Sequence, residues 1–196
     1  MNTDRIKIKV PKLDAARRQL NMAIKLWFNG EDPVAIHTLA FAAYEVLHVI
    51  SKKRNPYRQD LLFDSDLIKD EYRKDWNDFI KKPGNFFKHA KNDADETIEF
   101  DPMLSELFLL FAIAAVGSCR ELPNDEESVF TLWLAFHMPN ILTEEGRKLY
   151  IDRFSVDELE KIKSIPKRDF FETAMSMRRK VRSERDVRNV GRFSPN

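Results

Sequence analysis

The sequence predicts an all-α protein, namely an antiparallel helical bundle with a helical C-terminal extension. Only 5 of the 196 residues are glycine, whereas sandwiches and barrels need many tight turns. The hydrophobic content of 43% is enough to bury a real core. Proline also stands where helices begin, because a first-turn proline loses no helical hydrogen bond. The three such places are Asp32-Pro33, Asp101-Pro102 and Ile165-Pro166.

Four helices are expected in a bundle core that spans residues 1–122 and carries the candidate site. Gly30 is expected to end the first helix, and Pro83-Gly84 to interrupt the third. The fourth helix is apolar on nearly every side, which predicts a buried central helix. The four run over about residues 12–28, 33–52, 65–82 and 102–120.

Residues 123–196 are expected to form a helical extension packed on that core. From Lys167 to Arg192 there are nine Lys and Arg against four Asp and Glu, although the whole chain carries only +1. In the final helix, Arg178, Arg182 and Arg185 share one stripe, which predicts a phosphate-binding arm. The alternative is a solvated helix face whose arginines pair locally with Glu184 and Asp186. The helices expected here cover about residues 125–137, 143–154, 155–164 and 166–188.

Cysteine content and chain polarity predict a cytoplasmic protein with no membrane segment. The single Cys119 cannot form an internal disulfide. Residues 1–9 mix charges with single aliphatics, unlike a signal peptide. The apolar stretch from Met103 to Cys119 is shorter than a bilayer requires. The chain has no Gly-x-Ser-x-Gly motif and no glycine-rich phosphate loop, so other catalytic arrangements find less support. We predict no cofactor.

One stripe of the second helix combines two imidazoles with two aromatic rings. His37, Phe41, Tyr44 and His48 follow helical spacing and are offset from the aliphatic face. This pattern predicts a partly buried ligand-binding site formed by His37, Tyr44 and His48. The alternative is a helix–helix seam in which both imidazoles are hydrogen-bonded.

Glu45 and His48 also give the Glu-x-x-His spacing that di-iron bundles use twice. The second copy is missing from this chain. By ligand type, His37, His48 and His89 with Glu45 could hold one metal ion. Metal binding by the helical bundle is therefore one hypothesis for the function, and the one that we rank last.

The segment Gly84–Ala90, GNFFKHA, is the other candidate site. Asn85 and His89 lie four residues apart and share a face if the segment is helical. Two phenylalanines would anchor the segment, and Lys88 adds a cation. The alternative is structural, with Asn85 capping a helix after the Pro83-Gly84 break and His89 bonded to a carbonyl.

An Asn followed by three residues and a His, in a small α bundle, resembles the Arg-polar-x-x-x-His motif of the HEPN superfamily. The resemblance implies a metal-independent ribonuclease or nucleotide-binding protein that dimerises. His89 would be the general base, since its unperturbed pKa of about 6.5 suits that role, and Asn85 would orient the substrate. Gly84 stands at the arginine position, so phosphate binding would fall to a nearby lysine or a distant arginine. The lysines are Lys81, Lys82 and Lys88.

The strings IHTLA and NFFKHA are similar to those of uncharacterised bacterial proteins, which implies a bacterial origin and supplies no activity.

Two hypotheses for the function rank above metal binding. The first is a HEPN-like protein directed at RNA or a nucleotide, with or without catalysis, and dimeric. The second is a non-enzymatic interaction module whose histidines are structural and whose C-terminal helix binds a partner protein.

Overall fold

The computed structural model describes residues 7–57, 62–90 and 93–190, with only the backbone given for 184–190. Within these ranges all regular structure is helical, so the prediction of an all-α helical bundle is confirmed. The helices are α1 (Lys12–Asn29), α2 (Pro33–Arg54), α3 (Asp70–Lys88), α4 (Met103–Ser118), α5 (Asp125–His137), α6 (Glu144–Tyr150), α7 (Val156–Lys163) and α8 (Lys167–Val190), with a 3-10 turn at Pro139–Ile141.

The helix ends follow from local capping chemistry. Asp32 accepts a hydrogen bond from the Ala35 amide at 2.9 Å, which confirms the start of α2 at Pro33. Ser155 and Glu158 form a capping box before α7. Gly30 follows α1 with φ of +69°, a conformation that glycine adopts without steric cost.

The described residues fall into two compact units. The first comprises Met1–Ala23 and Glu31–Leu122, and the second comprises Ile24–Gly30 and Pro123–Asn196. The final turns of α1 therefore belong with the second unit, although the helix begins in the first.

In the first unit, α2 packs against both α4 and α3. Its side of the core includes Phe41, Tyr44 and Leu47, and α4 contributes Phe108 and Leu109, all fully buried. Among the described residues, α2 is the one helix long and apolar enough to span a membrane by length and composition. Half of its apolar window is buried inside the protein. Core packing therefore accounts for its apolar character.

The prediction that Pro83-Gly84 interrupts the third helix was wrong. α3 continues through Pro83 to Lys88, and Pro83 and Gly84 are both buried. A Cβ placed on Gly84 would lie 2.6 Å from Cδ1 and Cδ2 of Phe41, closer than real Cβ contacts come. The missing side chain thus lets α3 approach α2 closely, and this packing outweighs the hydrogen bond that Pro83 removes.

In the second unit, aromatic rings form the core. At the end of α1, the ring centroid of Trp27 lies 5.1 Å from that of Phe130, and the ring centroid of Phe28 lies 4.7 Å from that of Phe171. Trp133 of α5 lies 5.0 Å from Phe170 of α8. Edge-to-face and stacked pairs of this kind stabilise a core beyond the area that they bury.

Replacing Gly84 by alanine tests the close approach of α3 to α2. We expect Gly84→Ala to lower the free energy of unfolding by about 1–3 kcal/mol, since Phe41 must move to admit the methyl group. Gly117→Ala in α4 is the matched control, because nothing lies within 4 Å of its Cβ position. That variant should stabilise the helix by up to about 1 kcal/mol. Urea denaturation followed by far-UV circular dichroism measures both, and equal effects would contradict the packing argument.

Candidate functional site

Asn85 and His89 line an open groove at the C-terminal end of α3. Both side chains are exposed and lie one helical turn apart. His89 is the C-cap residue, and its backbone N–H donates to the carbonyl of Asn85 at 3.0 Å. The full lining is Asp78, Lys82, Asn85, Phe86, His89, Asp93 and Glu96.

The groove offers several kinds of recognition chemistry. Phe86 is half-buried and supplies a ring, while Lys82 supplies one exposed cation. Asp93 and Glu96 supply hydrogen-bond acceptors, and the third carboxylate, Asp78, is bonded to Lys74 at 2.8 Å. Carboxylates therefore outnumber cations in the lining, so the groove suits a ligand rich in hydrogen-bond donors.

Lys88 does not belong to this groove. Its Nζ lies 2.6 Å from Oε2 of Glu45 and 4.4 Å from the centroid of the Phe41 ring. The ammonium is thus engaged in the seam between α2 and α3. The structure brings together Asn85 and His89 from the predicted catalytic set, and separates Lys88 from them.

Position 84, where the resemblance to the HEPN motif would place an arginine, has no room for a side chain. Gly84 is buried, and the Phe41 ring occupies the space where a side chain would begin. Within the groove lining, Lys82 is the basic residue left to meet a phosphate.

His37 is buried among aromatic rings. Its Nδ1 lies 3.2 Å from the Ser105 hydroxyl, while Nε2 has no hydrogen-bond partner in the part of the chain that the structure describes. Burial lowers the pKa of His37 from 6.5 to about 4, so the imidazole is neutral at pH 7. The surrounding rings, at 4.8–6.1 Å between centroids, are Phe41, Phe87, Phe100 and Phe108.

Tyr44 and His48 belong to a buried polar chain. The Tyr44 hydroxyl accepts from the Leu62 amide at 2.8 Å and from the Phe63 amide at 3.4 Å. It lies 3.5 Å from Nδ1 of His48, whose Nε2 is 3.7 Å from Oδ2 of Asp64. Together these contacts attach residues 62–64 to α2. Both side chains are thus engaged within the first unit.

Asp64 is a participant that the sequence reasoning missed. Its backbone has φ of +54°, and it exchanges two hydrogen bonds with Asn77, at 3.0 and 2.8 Å. Burial alone would raise the pKa of Asp64, but the Asn77 bond and the charges of Lys52, His48 and Lys81 lower it below its usual range. A positive φ at aspartate leaves no clear sequence signal, since this conformation is uncommon at any residue other than glycine.

The histidines and Glu45 do not converge on one point. His37 and His48 lie eleven residues apart on α2, which corresponds to about 16 Å along the helix axis. Glu45 contacts Lys88, whereas His48 contacts Tyr44 and Asp64. Over residues 7–57, 62–90 and 93–190, no group of three or more His, Cys, Asp or Glu is arranged to hold a metal ion.

Two of the three predicted phosphate-binding arginines share one carboxylate. Arg178 Nε and an Arg182 terminal nitrogen lie 2.9 and 2.8 Å from the two Oδ atoms of Asp125. This acid lies on α5. The side chains of Glu184 and Asp186, which the solvated-face alternative names, lie outside the described part of the chain. The side chain of Arg185 lies outside the described part of the chain.

Comparison of the chain with protein-family models, with curated proteins and with solved structures gives no match. The class that the fold defines is an all-α protein, and its candidate site is an open groove with an imidazole and an amide one turn apart.

The buried His37 should make stability depend on pH. The folded pKa lies below the unfolded value, so the neutral form stabilises the fold above pH 6.5, and this stability is lost as pH falls from 6.5 towards 4. The loss is about 3 kcal/mol over that window. His37→Leu should remove this part of the pH dependence, as measured by urea denaturation across pH 4 to 7.5. An unchanged pH dependence in the variant would contradict the assignment.

Proposed function

We propose that this protein is a HEPN-like, nucleotide- or RNA-directed protein that binds its ligand in the groove of Asn85, Phe86 and His89. The carrying observation is that an exposed amide, a half-buried ring and an exposed imidazole line one open groove. A ring stacks on a nucleobase, and an amide pairs with its edge. The carboxylates of Asp93 and Glu96 accept hydrogen bonds from ribose hydroxyls.

His89 is the proton-transfer group in this proposal. It would take the proton from a ribose 2′-hydroxyl in a cleavage step. Because Phe41 closes the position of the family's arginine, only Lys82 in the lining would offset transition-state charge. We therefore expect ligand binding with slow or absent cleavage. A bacterial origin and action in the cytoplasm are part of the proposal, and the single, buried Cys119 supports a reducing compartment.

Titration with mononucleotides tests this site. We expect the wild type to bind adenosine or uridine monophosphate, and Asn85→Ala and His89→Ala to weaken binding about tenfold each, the cost of one lost hydrogen bond to a charged or hydroxyl group. Both residues are exposed, so circular dichroism should stay unchanged. The control is Lys53→Ala, an exposed residue of α2 outside the groove lining.

The same variants separate binding from catalysis. Any cleavage of single-stranded RNA by the wild type should be lost in His89→Ala, and unchanged turnover would remove His89 from its proposed role. Equal nucleotide affinity in all four proteins, or no binding by the wild type, would sink the nucleotide proposal itself.

A second candidate function is a helical interaction module. α3 carries an aromatic stripe, defined as Tyr72, Trp76 and Phe79, adjacent to the stripe that packs on α2. Tyr72 and Phe79 remain 58% and 61% exposed, and the Trp76 indole is fixed by a 2.9 Å hydrogen bond to the Leu62 carbonyl. Exposed aromatic residues at helical spacing are typical of a surface that packs against another helix.

The charges of α3 favour a second copy of the chain as its partner. Residues 70–79 contain four acids and two cations, while residues 80–88 contain three lysines and no acid. Antiparallel pairing of two copies would place the acidic half of each helix beside the basic half of the other. This supports the homodimer that the HEPN resemblance implies.

Charge insertion into the stripe tests this candidate. Phe79→Glu should raise the dissociation constant for self-association at least tenfold, since a carboxylate in the centre of an apolar contact is desolvated without a partner. Val49→Glu is the control, because Val49 is a similarly exposed apolar residue on α2, at 51%. Sedimentation velocity over a concentration series measures both. A monomeric wild type, or the same effect from both substitutions, would contradict the role of the stripe.

A further inference from the structure

The exposed half of α8 concentrates positive charge. We define the cationic segment as Arg178, Arg179, Lys180 and Arg182. All four side chains are exposed, and residues 173–183 contain no acid. Although the chain as a whole carries +1, four cations here fall within five consecutive positions.

Asp125 engages one side of the cationic segment without neutralising it. This carboxylate, 13% exposed, holds both Arg178 and Arg182. A guanidinium has five N–H donors, and Arg182 remains 65% exposed, so each arginine keeps donors that face solvent. Four cations against one carboxylate leave a balance of +3.

Arg179 and Lys180 were missed by the stripe prediction. They lie about 100° and 200° around the helix from Arg178, so they point away from the side that contacts Asp125. Neither pairs with a carboxylate in the part of the chain that the structure describes. These two charges thus lie on sides of α8 that the predicted arginine stripe did not include.

We propose that the cationic segment binds the phosphodiester backbone of single-stranded nucleic acid. Its charges lie on several sides of one helix, which a flexible polyanion can follow and a flat protein surface cannot. Three of the four cations are arginines, which bind phosphate with paired donors. The exposed apolar side chains beside it, Met177 and Val181, are too few for the continuous apolar face of a membrane-surface helix.

This inference goes beyond the groove function and does not rest on it. The phosphates would be held by the second unit, whereas the groove proposal concerns Asn85 and His89 of the first. Each site therefore needs its own ligand and its own variants.

The test measures how affinity for a labelled oligouridine depends on salt, by fluorescence anisotropy. Replacing Arg179 and Lys180 together by glutamine should lower the slope of log affinity against log salt by about 1.4, since each phosphate contact to a single strand contributes about 0.7. Affinity at low salt should fall about tenfold or more. The control is Arg147→Gln with Lys161→Gln, which removes the same charges from exposed positions elsewhere in the second unit.

Several outcomes would overturn the proposal. They are no oligouridine binding by the wild type at low salt, an unchanged slope in the double variant, or an equal loss in the control pair. Competition by polyglutamate as effective as that by unlabelled oligouridine would assign the segment to an acidic protein instead. The double variant should retain mononucleotide binding, so failure of the segment and failure of the groove are visible separately.

Discussion

The close approach of α3 to α2 at Gly84 decides which polar groups of the first unit meet solvent. With the Phe41 ring where a side chain would begin, positions 84 and 88 share the face that packs on α2. Lys88 therefore covers the same ring and reaches Glu45. Asn85 and His89 are turned about 100° from that face and become exposed. The orientation of α3 against α2 therefore places Lys88 outside the groove and leaves the side chains of Asn85 and His89 exposed in it.

The same packing gives the two imidazoles of α2 different surroundings. At one end of the stripe, His48 has Tyr44 and Asp64 within reach of its two nitrogens. At the other end, His37 has Ser105 and four phenylalanine rings. An unpartnered buried nitrogen costs about 1–3 kcal/mol, and protonating it would cost more. The neutral imidazole therefore has the lower free energy in this site, and this is why the pKa of His37 is lowered.

Helix starts could be predicted from the sequence, whereas contacts between residues far apart in the chain could not. Asp32 and Ser155 mark helix starts, because a capping side chain bonds to a backbone amide only three residues further along the chain. The predicted interruption at Pro83 was wrong, because here burial against α2 decides whether the helix continues past the proline. Lys88 meets Glu45 across 43 residues, and Arg178 meets Asp125 across 53. No periodicity indicates such partners, so the groove was predicted through Asn85 and His89 but without its acidic lining.

A near-zero net charge conceals two opposite environments. The groove lining has three carboxylates and one lysine, while the cationic segment of α8 has four cations against Asp125. In the groove, the phosphate of a nucleotide would meet one lysine, Lys82, so most of the binding has to come from the base and ribose. A base and ribose, which bring hydroxyl and amino donors, suit those carboxylates well. Phosphodiester groups suit α8, where arginines keep donors free even while Asp125 holds them. Under the two proposals, the groove would recognise the nucleoside and the cationic segment the phosphodiester backbone, and the distribution of charge rather than its sum would separate the two.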